Sequence, residues 1–151
     1  MKQSAAPAMA GARASLLWSA FFSHHNMIKT KSLYDQASEE DGLRVLVTRY
    51  WPRGVSKDRV HLWCKDLSPT PELISSFKSG KISWSGFRAA YLKDFSTAES
   101  QKSLKEASSR IMEQALALER PCTITLLCAC RESPRCHRSL LSPILEEVLK
   151  P

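Results

Sequence analysis

Residues 123–141 read TITLLCACRESPRCHRSLL. The opening residues are apolar and β-branched without interruption, as in a strand covered on both faces. A short polar stretch broken by Pro134 follows. An apolar spacing suited to a helix then runs from about Arg138 to Leu149. Pro143 inside that spacing calls for a kink, or for a restart with Ser142 as cap and Pro143 in the first turn. The connecting turn holds Cys128, Cys130, Arg131, Arg135, Cys136, His137 and Arg138 within eleven residues. Thiols, an imidazole and guanidiniums at this density suit three chemistries: anion binding, a reactive thiolate or a metal centre.

Upstream, the same grammar repeats. Met27 opens MIKTKSLYD, a short strand and turn. Gly42 precedes Leu43–Thr48, a second, nearly continuously apolar strand, and RYWPRGVSKDRV (49–60) follows as a polar loop punctuated by Pro52 and Gly54. Pro71 starts a short helix that runs to about Phe77. Ser83 caps another, with Trp84, Phe87, Tyr91 and Phe95 as a core-facing stripe. A longer helix covers Ala98–Leu118, with Leu104, Ala107, Ile111, Ala115 and Leu118 on its inner side. Pro121 then leads into a strand over Cys122–Leu127. Strands separated by amphipathic helices predict an α/β fold: a small, mainly parallel sheet flanked by helices, with Rossmann- or flavodoxin-like layering, in one domain over 27–151. Ligands bind such sheets at the C-terminal ends of the strands. If the strands that precede them are neighbours, loops 49–54 and 128–138 meet there.

The chain has 151 residues and a net charge of +7 spread along its length. That balance favours an anionic small molecule, with nucleic acid as the alternative partner. No basic tail, helix-turn-helix pattern or aromatic RNA-binding strand supports the alternative. Five cysteines, three of them within nine residues, do not make a secreted disulfide framework. They fit a reducing, cytoplasmic setting, with Cys64 and Cys122 as core residues. Residues 1–26 are rich in Ala and Ser and contain no acidic residue. They are expected to form a disordered or dispensable extension, with a transit-like segment as the alternative. Their apolar patch, Leu16–Phe22, is too short to span a bilayer, so no membrane partner is expected. Oligomeric state leaves no signal.

Arg49 and Arg53 flank Trp51 and Pro52. A guanidinium grips carboxylate or phosphate through two parallel hydrogen bonds, so both are candidate ligand-binding residues, as are Arg135 and Arg138. Trp51 offers a flat face to a ligand, or packs in the core. At the start of the last helix, free N–H groups and the helix dipole would lower the pKa of Cys136. Cys136 and His137 are therefore candidate catalytic residues, a nucleophile or acid–base pair, with Cys128 beside them. Cys130–Arg135 resembles the active loop of rhodanese-type sulfurtransferases, and is one residue short of the cysteine-phosphatase spacing. It contains no glycine, which such loops favour. The set Cys128-x-Cys130-x5-Cys136-His137 offers four soft ligands. Consecutive Cys and His are hard to place on one tetrahedral ion, and no metal ligand or cofactor is assigned.

Four blocks together resemble the YeaO-like family of small bacterial-type proteins: DGLRVLVTRYWPRGVSK (Asp41–Lys57), WCKDLSP (Trp63–Pro69), FRAAY (Phe87–Tyr91) and the TLLC…CHR ending. The resemblance covers about residues 27–149. It implies a single cytoplasmic α/β domain. It also implies site roles for Arg49, Trp51, Pro52, Arg53 and Gly54 in the first block, and for Cys128, Cys136, His137 and Arg138 in the last. Cys130 departs from the family pattern, in which an acidic residue is common at this position. The resemblance implies no reaction.

Overall fold

A computed structural model describes residues 16, 18, 28–118, 123–130 and 135–150. The strands are β1 (Ile28–Ser32), β2 (Leu43–Leu46), β3 (Leu62–Trp63) and β4 (Ile124–Cys128). The helices are α1 (Pro71–Lys78), α2 (Trp84–Asp94), α3 (Ala98–Ala117) and α4 (His137–Leu149). All strand pairs are parallel, in the order β1-β4-β2-β3, so the expected α/β sheet is present and is wholly parallel. The two residues of β3 are too few to carry a period, and the sequence reading has no counterpart for them. Among the described residues no helix is long and apolar enough to cross a membrane.

The two continuously apolar strands bury both of their faces. On one side Leu43, Val45, Val47, Ile124 and Leu126 meet Leu104, Ala107, Ile111 and Ala115 of α3 and Leu141, Leu145 and Leu149 of α4. On the other, Leu46 and Leu127 join Leu33 beneath Trp51, Val55, Val60 and Trp63. Each such leucine contributes about 1.5–3 kcal/mol through burial. The second face is thus closed by the segment that follows β2. Trp18 also enters the larger core, where its Nε1 donates to the Leu149 carbonyl at 2.7 Å.

The helix starts follow the sequence. Thr70, Ser83 and Thr97 accept from the backbone N–H groups of Leu73, Gly86 and Ser100 at 3.1–3.2 Å. Pro71 occupies the first turn of α1. Helix α4 runs through Pro143 without restarting at Ser142. Burial of Leu141, Leu145 and Leu149 offsets the backbone bond that the proline cannot make.

At the N-terminal end of the sheet, Asp41 is 2% exposed and neutralises two cations. Its carboxylate accepts from Lys31 at 2.8 Å, from the Ser38 N–H at 3.0 Å and from Arg44. Burial alone would raise its pKa. The hydrogen bonds from Lys31 and Ser38 and the charges of Lys31 and Arg44 outweigh it, and the net shift is downward from 3.8. A depressed carboxyl pKa stabilises the fold above the unfolded value, and the contribution disappears as pH falls through the folded value. Urea midpoints of the native protein are therefore expected to drop below about pH 4 more steeply than those of Asp41→Asn. Equal slopes would show that Asp41 is not the responsible group. His137, which burial keeps neutral, adds a separate loss at milder acidity in both proteins.

Candidate active site

Strands β2 and β4 pair in register from Leu43–Ile124 to Leu46–Leu127, so both end on the same edge of the sheet. The pairing continues one residue further, where the Val47 N–H donates to the Leu127 carbonyl at 3.0 Å. Cys128 is the last residue of β4, where the sequence had suggested the polar loop, and its side chain is buried. Cys136 takes the N-cap position of α4 with extended backbone, and its side chain makes no capping bond. Cys130 lies between them and is exposed. The three sulfurs are within 4.8 Å of one another.

Two neighbours hold this cluster in place. Arg138, 1% exposed, reaches back from the first turn of α4, and its Nη1 donates to the carbonyls of Cys130 at 2.9 Å and Cys128 at 3.4 Å. Among the described residues no carboxylate lies within ion-pair distance of Arg138, and its Nε has no hydrogen-bond partner. His137 Nε2 lies 2.7 Å from the Val47 carbonyl and Nδ1 lies 3.9 Å from the Cys136 sulfur. A carbonyl can only accept, so the proton sits on Nε2. Burial holds the imidazole pKa below its usual value, which leaves Nδ1 as an acceptor facing Cys136.

The electrostatics sort the three thiols. Cys130 accepts hydrogen bonds from Cys128 and Cys136 and feels the charge of Arg138, so its pKa is lowered despite partial burial. Cys128 is pushed up to about 11, chiefly by donating to Cys130. Cys136 is raised too, because Cys128 and Cys130 hold its proton and burial disfavours the anion. The helix N-terminus was expected to make Cys136 the thiolate. At the N-cap, however, this residue is 2% exposed and its pKa is raised, while the lowered one belongs to the exposed Cys130.

The other candidates spread along the same edge. Arg49 donates to the carbonyls of Ser68 and Pro69 at 3.2–3.3 Å. It lines a cavity of about 250 Å³ together with Asp66, Tyr91 and Asp94. Trp51 packs at the rim of the smaller core, edge-on to Trp63, with Nε1 donating to the Val55 carbonyl at 2.8 Å. Arg53 and Arg135 are exposed. Thus the cluster gathers Cys128, Cys130, Cys136, His137 and Arg138, while Arg49 binds the protein's own backbone. Arg131, and with it most of the rhodanese-like loop, lies outside the described residues, as does Cys122. Cys64 is buried, as a core thiol should be. One contributor is hidden in the aromatic stripe: Tyr91 stacks edge-on against His137 at 5.7 Å and donates to the Leu67 carbonyl at 2.6 Å. Its position two turns along the stripe from Trp84 marked it only as core.

The molecule is therefore an α/β protein with a three-thiol cluster at the C-terminal edge of a parallel sheet. It belongs to the DUF488-N3a family, described as the active DUF488-N3 subclade, whose model matches residues 28–149. Over 123 residues it is 30% identical to the uncharacterized protein YeaO of Escherichia coli (strain K12), covering 80% of this chain and 98% of that protein. Over 120 residues it is 28% identical to the uncharacterized proteins Rv3073c of Mycobacterium tuberculosis (strain ATCC 25618 / H37Rv) and Mb3100c of Mycobacterium bovis (strain ATCC BAA-935 / AF2122/97). In each case the match takes in 78% of this chain and 92% of the relative. No solved structure matches.

Proposed function

We propose that this DUF488-N3a chain is a cysteine-dependent enzyme that acts on an anionic small molecule, with Cys130 as its nucleophile. One observation carries the reading: a buried guanidinium, Arg138, has no carboxylate within ion-pair distance among the described residues and donates to the carbonyl of Cys130, an exposed cysteine with two other sulfurs within 4.8 Å of its own. A buried cation needs a counter-charge, and the Cys130 thiolate supplies it. Cys128 and Cys136 stabilise that thiolate as S–H donors, and His137 positions Cys136. Arg135 and Arg53, both exposed, are the guanidiniums left to meet a substrate's charge. Arg49 and Trp51 shape the same edge.

Alkylation by iodoacetamide, followed by peptide mapping, tests it. An ordinary thiol, with a pKa near 8.5, alkylates about tenfold faster per pH unit between roughly pH 6 and 8. Cys130 is expected to react at a nearly constant rate across that range, while Cys128 and Cys136 stay unmodified. A tenfold rise per unit at Cys130 would remove the activated nucleophile.

A further inference from the structure

A nucleophile with two protonated thiols beside it is over-equipped for acyl or phosphoryl transfer. Water discharges those intermediates, and a second thiol adds nothing. A mixed disulfide is different, since a thiol is what discharges it. We infer that the site is a thiol–disulfide exchanger, in which Cys130 attacks a small anionic disulfide and Cys136 resolves the product into an internal Cys130–Cys136 bond. The inference rests on the Cys130 nucleophile proposed above and names its substrate class.

The geometry selects the resolving residue. All three sulfurs lie within 4.8 Å, so either neighbour must close by no more than about 3 Å to reach a disulfide bond of ~2 Å. Cys128 is poorly placed for this. It sits in the β4 ladder, its carbonyl accepts from the Leu33 N–H at 2.8 Å and from Arg138, and only one residue separates it from Cys130. Cys136 stands outside the sheet on extended backbone, and its side chain caps nothing. Rotation about its Cα–Cβ bond moves the sulfur without breaking a ladder bond. Its proton also has an acceptor, the Nδ1 of His137 at 3.9 Å.

The steps balance. The Cys130 thiolate attacks one sulfur of the substrate disulfide, forms a mixed disulfide and expels the first substrate thiolate. The Cys136 thiol gives its proton to His137 Nδ1, which passes it to that thiolate. The Cys136 sulfur then attacks the Cys130 sulfur, the mixed disulfide breaks and the second substrate thiolate leaves. The substrate gains two electrons and leaves as one thiol and one thiolate, which takes its proton from water. The cysteine pair loses two and becomes a disulfide. An external dithiol reduces it and closes the cycle.

The test uses the full chain, reduced and desalted, with oxidised glutathione as the probe, read by intact mass and peptide mapping. The native protein is expected to lose two hydrogens, to link Cys130 to Cys136 and to release two equivalents of reduced glutathione. Cys128→Ser should do the same. Cys136→Ser should stop at one glutathione held on Cys130, with one equivalent released. Should the variants misfold, the peptide map of the native protein decides alone. A glutathione adduct that persists on the native protein would overturn the inference. So would a Cys128–Cys130 link, or sulfurs so saturated by a zinc ion that none reacts before chelation. If Cys130 alkylates with a flat pH profile and no internal disulfide forms, the nucleophile stands and the exchanger falls. If Cys130 alkylates as an ordinary thiol, both fall.

Discussion

Arg138→Leu is expected to lower unfolding free energy by about 3 kcal/mol and to slow alkylation of Cys130 at neutral pH by roughly tenfold or more. Arg138 is among the largest fully buried side chains, and its guanidinium is the partner of the Cys130 and Cys128 carbonyls. Leucine fills part of the volume but offers no donor; the Cys128 carbonyl keeps the Leu33 N–H, while the Cys130 carbonyl loses the Arg138 donor, a loss of about 1–3 kcal/mol. The same change removes a cation whose charge favours the thiolate, so the Cys130 pKa climbs and less anion is present at neutral pH. Urea denaturation measures the first effect and the alkylation profile the second. Arg138→Lys, which keeps the charge and loses the fork, should recover part of the alkylation rate. A variant with lowered stability and an unchanged profile would show that Arg138 only braces the turn.

Gly42→Ala is expected to destabilise the protein by about 3 kcal/mol or more, from two additive causes. Gly42 has φ 62° and ψ −127°, a conformation that glycine adopts freely and alanine resists. A β-carbon there would also stand 2.0 Å from the Thr123 carbonyl oxygen, which is backbone and cannot swing aside. That carbonyl accepts the Leu43 N–H at 2.8 Å, where β2 and β4 first meet. Relieving the clash therefore pulls the two central strands apart. Thermal unfolding reads the loss directly. The thiol cluster is at the other end of the strands, so any folded fraction should keep the native Cys130 alkylation rate. A melting temperature within a few degrees of the native value would contradict the argument.

Much of the fold is legible in the residues. Leu43–Leu46 and Ile124–Cys128 read as nearly continuous apolar runs because both of their faces are covered, and the cap at Ser83 is local chemistry. The placement of Cys128 near the end of β4 and of Cys136 at the start of α4 was also readable. Burial was not. Sequence position gives Cys136 a helix N-terminus, yet packing submerges it and leaves Cys130 in water, which reverses the expected order of acidity. Trp51 was open between ligand face and core, and only the sheet's second face shows where it packs. The Asp41 ion network escaped notice, although Ser38 and Asp41 form a reciprocal capping box whose spacing was available. Of its partners, Arg44 lies only three residues on, but Lys31 comes from β1, which reaches β2 only through β4 and leaves no local trace.

The strand order has a bearing on how the molecule comes into being. Strands β1 and β2 never touch as neighbours; each waits for β4, which enters between them and is the last strand to be synthesised. A nascent chain therefore emerges with β1 unpaired and β2 joined only to the two-residue β3 until nearly its whole length is free. Chaperones that shelter growing apolar segments have a long interval in which to act on this protein, and chains that terminate early keep only the short β2–β3 pair of the native sheet.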